Sequence, residues 1–506
     1  MPKKLPIFYS ALLLTGVNLL LRLVGTSFQV YISGRIGAAG VGLLQLTMSV
    51  GSLAMVTGIA GVRTAAMYLT AEELGKKRPG NVTWVLSGCF VYSILCSTAV
   101  AAALYFLAPA LAESWIGDVR TVNSLRLFAA FLPVSCLCGV MTGYFTAANR
   151  IGTLAAVEAA EQLCSMVVTM AVLTLWAGDD PGRACQSVVM GGCFGACLTL
   201  CCLMLLRLAE RVKPGPKIPI RSRLMQAAVP LAMADVLKSG ISTTENLMVP
   251  KRLALNSLID SPLAAFGVVS GMVFPILMFP ACILFGLAEL LIPELARCAA
   301  AGSKQRISYL VRRSLRTAML YGIVFSGLEF LLAEGLCSSL YHNAEAGRWL
   351  RLYALLIPML YCDAITDAMT KGLGQQKVCV RYNIITNSMD VLFLYFLLPK
   401  YGMQGYFFSF FITHLVNFIL SLRRLLIITG ETIPFSAPAL SIAAALAAGW
   451  GASRFAAPVL RAGTYPILLG CLMCLFGVLG REDIAWLKGL LRGKAITKAR
   501  TFSKSA

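Results

Sequence analysis

A small set of ionisable side chains lies inside long apolar segments of this sequence. These residues are Arg22, Glu158, Glu161, Asp235, Lys238, Glu245, Glu289, Glu329, Asp363, Asp367 and Asp390. A charge at the centre of a membrane helix is unfavourable by roughly 2.5–3.5 kcal/mol on insertion scales, so charged residues that are found there usually have a function. We therefore expect these side chains to face a protein interior or a water-filled cavity.

Arg22 is flanked by Leu21 and Leu23 in the first apolar segment. Its guanidinium is permanently charged and presents five donors in a fixed plane, which suits phosphate or pyrophosphate oxygens in a cavity. The alternative is an ion pair with Glu158 or Glu161 in the fifth segment. Arg63, at the end of the second segment, either extends this site or only signals topology.

A second group of charges lies on the seventh apolar segment. Asp235 and Lys238 are three residues apart and Glu245 follows seven residues later, so a helix would place all three near one face. The pair could neutralise itself, but a stripe of three such groups indicates an aqueous path. We predict a substrate cavity lined by Arg22, Arg63, Glu158, Glu161, Lys238 and Glu245.

Two aspartates on the tenth segment, Asp363 and Asp367, are four residues apart and share a helical face. Like charges at this spacing repel, which favours a bound cation or proton between them. We predict a coupling site for Na⁺ or H⁺ formed by Asp235, Asp363, Asp367 and Asp390. The competing interpretation is that Asp363 and Asp367 form structural ion pairs with Lys238.

The composition decides the class of protein in which these residues act. Of 506 residues, 58% are hydrophobic and only 13% are charged, with a mean hydropathy of +0.77. Ordinary soluble domains carry about 25% charged residues, so a soluble enzyme and a disordered chain are both excluded. The net charge of +21 is spread between apolar segments, which favours the anionic membrane surface over nucleic acid as its counterpart.

The hydropathy pattern predicts an all-α polytopic membrane protein with about fourteen transmembrane helices. The candidate spans are 7–32, 41–62, 83–108, 125–147, 153–177, 185–209, 225–249, 264–290, 310–333, 350–370, 380–399, 404–428, 436–456 and 464–480. With both termini in the cytoplasm, 31 of the 44 Lys and Arg residues fall on the inner side. This bias predicts a multi-pass protein of the bacterial cytoplasmic membrane with both termini inside.

An internal repeat divides the chain. The sequence of residues 125–133 recurs at 350–358, and the sequence of 38–42 aligns with that of 263–267. Both matches have an offset of 225 residues. This offset spans six helices, an even number, so the repeats are expected to be parallel. Two such bundles around a shared cavity favour an alternating-access transporter, in which the bundles rock against each other. The predicted organisation is an N-lobe at 1–209, a basic cytoplasmic linker at 210–224, a C-lobe at 225–430, two appended helices at 431–480 and a basic tail at 481–506.

Prolines interrupt several of the predicted spans. Pro133, Pro275, Pro280 and Pro358 are candidate hinges, and static helix curvature is the alternative. No P-loop, catalytic constellation or Cys/His metal signature is present, so we expect neither an enzyme nor a bound metal or cofactor beyond a coupling Na⁺ or H⁺. The 17 cysteines fit buried thiols rather than disulfides.

Several motifs together resemble the stage V sporulation protein B family. They are the segments 34–37, 40–42, 244–253, 271–280, 291–296 and 372–376. This family is part of the multidrug, oligosaccharidyl-lipid and polysaccharide flippase superfamily, so the resemblance implies a MATE-like fold of 6+6 helices. It further implies translocation of undecaprenyl-diphosphate-linked saccharides, with lipid II for the spore cortex in the sporulation members.

The resemblance also bears on the site. Arg22 matches an arginine on span 1 of related lipid II flippases and Arg63 matches the basic end of span 2, whereas Glu289 stands where those relatives have an arginine on span 8. Expected partners are membrane lipids, the lipid-linked saccharide and cell-wall synthases, with no nucleic acid. Two alternatives stay open: a Na⁺- or H⁺-coupled multidrug exporter of the same fold, and a non-transporting scaffold for a cell-wall synthesis complex.

Overall fold

The computed structural model describes residues 7–178, 180–210, 215–216, 220–431, 436–455 and 457–478, and every regular element in those ranges is helical. The predicted all-α class is confirmed. The helices are α1 (Ile7–Ile59), α2 (Val62–Gly75), α3 (Asn81–Ala110), α4 (Val122–Ala147), α5 (Ile151–Val172), α6 (Pro181–Leu208), α7 (Arg221–Leu253), α8 (Pro262–Gly267), α9 (Phe274–Leu277), α10 (Ala281–Ala300), α11 (Lys304–Tyr341), α12 (Ala344–Ala354), α13 (Ile357–Gly372), α14 (Gln376–Thr429), α15 (Ser436–Ser453) and α16 (Pro458–Leu475).

Two of these helices are too long for a single span. α1 has 53 residues and α14 has 54, which corresponds to about 80 Å at a rise of 1.5 Å per residue. Each is interrupted at one glycine with a positive φ, Gly37 (φ 69°) and Gly402 (φ 56°), a conformation that glycine adopts without a Cβ penalty. Each long helix therefore has room for two consecutive spans without an intervening loop.

The number of spans is bounded by helix length and apolarity. Within the described ranges, nine helices are long and apolar enough to cross a membrane, or up to eleven when each bent pair counts as one span. α1 and α14 each cover two of the predicted spans, and the shorter apolar part of α15, 439–453, corresponds to another. The structure is that of a multi-pass membrane protein, and the count of fourteen stays a prediction.

Two spans are bent at a break. One bent pair consists of α10 and the preceding segment Pro262–Leu277, which contains the π-helical turn Val268–Val273. In the other, α12 meets α13 at 58°. Pro280 lies at the first break and Pro358 is near the start of α13, after the second, where a missing N–H is tolerated. Pro275 follows the π-helical turn, whereas Pro133 lies inside the continuous helix α4. Their role as hinges stays a prediction.

The chain divides into two compact units. The first comprises Met1–Ile283 and Arg381–Thr413, and the second comprises Leu284–Val380 and His414–Ala506. In the first unit, a core cluster joins α2, α3 and α4 to the start of α7 through residues such as Val62, Phe145 and Ala228. In the second, α15 and α16 pack on α11. The predicted lobes have other bounds and stay a prediction. The predicted tail at 481–506 lies outside the described residues.

The internal repeat is visible as paired local geometry at the offset of 225 residues. Arg126 stacks over the Tyr105 ring at 5.2 Å, and Arg351 stacks over the Phe330 ring at 4.6 Å. Asp118 and Asn343 both cap a helix start, and each follows a residue with positive φ, Gly117 (82°) and His342 (52°). These equivalent pairs extend the sequence repeat upstream of residues 125 and 350.

The repeated segment at 38–42 packs against its counterpart at 263–267 within the first unit. A Cβ on Gly42 would lie 2.3 Å from the Leu263 carbonyl oxygen, and a Cβ on Gly267 would lie 2.0 Å from the Ala38 carbonyl oxygen. The two contacts are exchanged by the offset of 225, as a pseudo-two-fold axis between parallel repeats requires. Only glycine permits both close approaches.

Candidate functional site: carboxylates on α7 and α14

A carboxylate pair lies in the first unit, between α7 and the first half of α14. The side chains of Glu245 and Asp390 are in hydrogen-bond contact. Asp390 is 6% exposed, and its Oδ1 accepts hydrogen bonds from Ser409 Oγ at 2.5 Å and Thr413 Oγ1 at 3.3 Å. Tyr406 is buried beside both carboxyl groups. Two carboxyls and three hydroxyls thus converge from α7 and both halves of α14.

The oxygen atoms of this arrangement are of the type that suits a proton or a small hard cation. Two carboxyl groups can form a hydrogen bond to each other only if they share a proton, because two carboxylates repel. A cation that prefers oxygen ligands could replace that proton, with the hydroxyls of Ser409 and Thr413 nearby. The sequence placed Glu245 in the substrate cavity and Asp390 in the coupling set, and the structure brings these two residues together.

Asp363 and Asp367 lie on α13 in the second unit and have separate partners. Asp363 Oδ2 accepts a hydrogen bond from Asn417 Nδ2 at 3.0 Å, and its Oδ1 is buried without a partner among the described residues. Asp367 forms an ion pair with Lys371 at 2.5 Å, one turn along the same helix. The recorded ion pair of Asp367 is thus local to α13, and a coupling role for either aspartate stays a prediction.

The predicted cavity charges near α1 and α5 are partly described. The side chain of Arg22 lies outside the described residues, but Gln162 Nε2 on α5 donates to the neighbouring Leu21 carbonyl at 3.1 Å, which fixes α5 against this turn of α1. On α5, Glu161 accepts a hydrogen bond from Thr199 Oγ1 at 2.6 Å, and Glu158 is exposed within electrostatic range of Arg63.

The charges on α7 do not all share one environment. Asp235 and Lys238 are exposed, and no ion pair joins them in the part of the chain that the structure describes. Glu245, farther along the same helix, instead forms a hydrogen bond with Asp390. The stripe predicted on span 7 therefore divides into an exposed part and a buried part.

Several polar residues of the site were missed from the sequence. Ser409, Thr413 and Asn417 recur every four residues along an apolar span, which places them on one helical face. That stripe was a readable signal, because polar groups in membrane helices usually hydrogen-bond to other polar side chains. In the structure Ser409 and Thr413 donate to Asp390, and Asn417 donates to Asp363.

The predicted basic linker is fastened to the first unit by specific contacts. Arg223 at the start of α7 pairs with Glu72 at 2.6 Å and Glu73 at 3.0 Å, both near the end of α2. The Gly215 carbonyl accepts a hydrogen bond from Trp84 Nε1 at 2.8 Å. Glu210 accepts from Tyr144 Oη and pairs with Arg207 and Arg150. Arg207 and Arg223 therefore act in ion pairs besides adding positive charge.

No cluster of three or more His, Cys, Asp or Glu side chains suited to a metal occurs among the described residues. A coupling ion at Glu245 and Asp390 would therefore depend on hydroxyl and backbone oxygens as well as on the two carboxyls. Such ligands suit Na⁺ and a proton better than a transition metal, which prefers nitrogen or sulfur.

Two family profiles match the chain. The profile described as MatE matches residues 230–396, and the profile described as polysaccharide biosynthesis protein matches residues 39–259. Over 408 residues the chain is 20% identical to stage V sporulation protein B of Bacillus subtilis (strain 168), covering 78% of this chain and 78% of that protein. These matches support the multidrug, oligosaccharidyl-lipid and polysaccharide flippase superfamily as the group of proteins that this chain resembles. The resemblance found in the sequence is confirmed.

Solved structures of this superfamily share the fold. The lipid II flippase MurJ in its inward closed conformation superposes with a TM-score of 0.70 at 14% identity, covering 92% of this chain and 98% of that chain. An inward-facing multidrug resistance MATE family transporter gives a TM-score of 0.63 at 13% identity, covering 83% of this chain and all of that one. These similarities confirm the MATE-like architecture that the family resemblance implied.

Proposed function

We propose that this protein is a flippase that moves an undecaprenyl-diphosphate-linked saccharide across the bacterial cytoplasmic membrane by alternating access. The observation that carries the mechanism is the reciprocal contact of Gly42 and Gly267, because two parallel repeats that touch at equivalent points can rock about their shared axis. The saccharide class is supported by the polysaccharide biosynthesis profile and by the similarity to MurJ, named a lipid II flippase.

A role in the spore cortex follows as part of this proposal. It is supported by the similarity to stage V sporulation protein B, which extends over 78% of both chains. The substrate would then be lipid II or a related cell-wall precursor. Both termini would face the cytoplasm, in keeping with the distribution of Lys and Arg.

The test is reconstitution into liposomes with a prenyl-diphosphate saccharide that carries a fluorescent headgroup. A membrane-impermeant quencher then reports how much headgroup is exposed on the outer leaflet. We expect the wild-type protein to equilibrate the leaflets and Arg22→Ala to abolish this activity while leaving the amount of folded protein unchanged. Arg35→Ala, an exposed arginine on the same helix, is the matched control. Equal rates for wild type and empty liposomes would refute the proposal.

The Glu245–Asp390 pair is the proposed binding site of the coupling cation. Replacing either residue, as Glu245→Gln or Asp390→Asn, should weaken the dependence of flipping on Na⁺ or pH because a neutral amide can no longer exchange a cation. Asp367→Asn is the comparison, since Asp367 is paired with Lys371. If only Asp367→Asn lost the ion dependence of flipping, the coupling site would lie on α13 instead.

A cation-coupled multidrug exporter is the second candidate. The MatE profile covers residues 230–396, which include both Glu245 and Asp390. Resistance to cationic dyes in an efflux-deficient host would favour this function. Dye sensitivity together with headgroup flipping in liposomes would favour the flippase, and inactivity in both assays would favour a scaffold.

A further inference from the structure

Glu329 is a carboxyl group that the proposed cation site does not use. It lies on α11 in the second unit and is only 6% exposed. Neither carboxylate oxygen has a hydrogen-bond partner among the described residues. The acidic and basic residues nearest in register, Glu334 and Arg351, pair with each other at 3.1 Å. A carboxylate buried in this way is strongly unfavourable unless it is neutralised.

The packing register places Glu329 opposite a break in the neighbouring span. A Cβ on Gly347 of α12 would lie 2.8 Å from Glu334 Cα, and a Cβ on Gly322 of α11 would lie 2.7 Å from Pro358 Cα. Glu329 shares the face of α11 that carries Gly322. Along α11 it therefore lies between these two contacts, near the break at which α12 and α13 meet at 58°. Breaks in membrane helices are common positions for ion sites.

The first repeat shows that packing at this position does not need a carboxyl group. The row on α11 is buried throughout and consists of Glu329, Ala333, Cys337 and Tyr341. At the offset of 225, the equivalent row is also buried but entirely apolar, and consists of Leu104, Ala108, Ala112 and Ile116. Three of the four positions thus carry polar or titratable side chains only in the second repeat. A leucine satisfies the same packing in the first.

We propose that Glu329 is a proton-binding site of the second repeat, which takes up and releases a proton at the break between α12 and α13. A proton fits better than Na⁺, because Na⁺ needs several oxygen ligands and no side chain among the described residues donates to or pairs with this carboxyl. Tyr341 Oη, also buried without a described partner, and Cys337 lead along the same face to the end of α11.

The other elements packed around α11 supply few groups that could compete for this proton. They carry the following charged or titratable side chains at this level: Arg351 and Tyr353 on α12, Tyr361, Cys362 and Asp363 on α13, and Tyr465 on α16. Arg351 is engaged by Glu334, Asp363 by Asn417, and Tyr465 donates to the Ile323 carbonyl at 3.2 Å. The described part of α15 contributes none.

The test uses the whole protein in lipid and a lipophilic carbodiimide. A carboxylic acid adds its O–H across a carbodiimide C=N bond to give an acylisourea, with the acid proton ending on nitrogen, so reaction requires the protonated form. We expect mass spectrometry to find the adduct on Glu329 and its yield to fall as the pH rises. Glu334, exposed on the same helix, should remain unlabelled.

Two variants make the result decisive. Glu329→Leu copies Leu104 of the first repeat and should fold, and Glu329→Gln keeps the shape without the titrating group. Both should lose the adduct and the infrared carbonyl band of a protonated carboxyl, while their thermal unfolding stays close to wild type. No adduct on wild-type Glu329, a yield independent of pH, or protection by Na⁺ at constant pH would overturn the proposal. Because labelling needs no transported substrate, its failure is distinguishable from failure of the proposed flippase function.

Discussion

The reciprocal glycine contact between α1 and α8 makes a quantitative prediction for Gly42→Ala. The added Cβ would lie 2.3 Å from the Leu263 carbonyl oxygen, and backbone cannot move aside as a flexible side chain can. The two helices must therefore separate by roughly 1 Å, and overpacking of this kind costs about 1–3 kcal/mol. Alternating access requires two arrangements of the repeats. If only one of them contains this contact, the population of that arrangement relative to the other falls by about 5–150-fold.

Distance measurements by pulsed electron resonance can detect this shift. Genetically encoded spin labels at Arg35 and Leu258, both exposed, report on the two sides of the contact within the first unit. We expect one short distance in the wild type and a second, longer population in Gly42→Ala. The effect of Gly267→Ala should be similar, because its Cβ would lie 2.0 Å from the Ala38 carbonyl oxygen. The double variant should add little, since the first substitution already parts the helices.

Gly34→Ala is the matched control for this experiment. Gly34 lies in the same helix, but a Cβ there meets nothing within 4 Å. It therefore reproduces the gain in intrinsic helix propensity, about 1 kcal/mol, without the clash. An unchanged distance distribution in Gly42→Ala, or the same shift in Gly34→Ala, would refute the reasoning that this contact distinguishes two states.

Two further predictions concern stability. The side chain of Glu73 is 3% exposed, and Arg223→Gln leaves it with Asn81 as its remaining partner. This substitution should therefore lower the stability measured in thermal unfolding by about 1–3 kcal/mol. Arg221→Gln, at an exposed position of the same helix, should not lower it. The hydrogen bond from the Arg120 side chain lowers the pKa of Asp118, so its stabilisation is present above the carboxyl's unfolded pKa and is lost as the pH falls through the lower folded value. Asp118→Asn, which copies the cap Asn343, lacks this ion pair with Arg120, so it should be less stable than wild type near neutral pH and lose less stability in acid; equal acid profiles would contradict this.

The sequence alone determined the features that depend on composition and spacing. Apolar segments of about twenty residues must become helices in lipid, because no water is present to satisfy an open backbone. The repeat at an offset of 225 likewise needed only pattern matching, and it is realised in the stacking of Arg126 and Arg351 on equivalent rings. These properties are local, or they repeat a local pattern.

Only the tertiary structure decided which charges meet. Glu245 and Asp390 are 145 residues apart, and no spacing rule links them, because their contact depends on how α7 packs against α14. Asp367 was predicted to join a four-residue cation site, yet its recorded ion pair is with Lys371. Whether a charged side chain meets a partner depends on how each helix is rotated about its axis and on how closely neighbouring helices approach, as they do at Gly42. These are set by side-chain packing across the whole bundle, which one-dimensional periodicity does not contain.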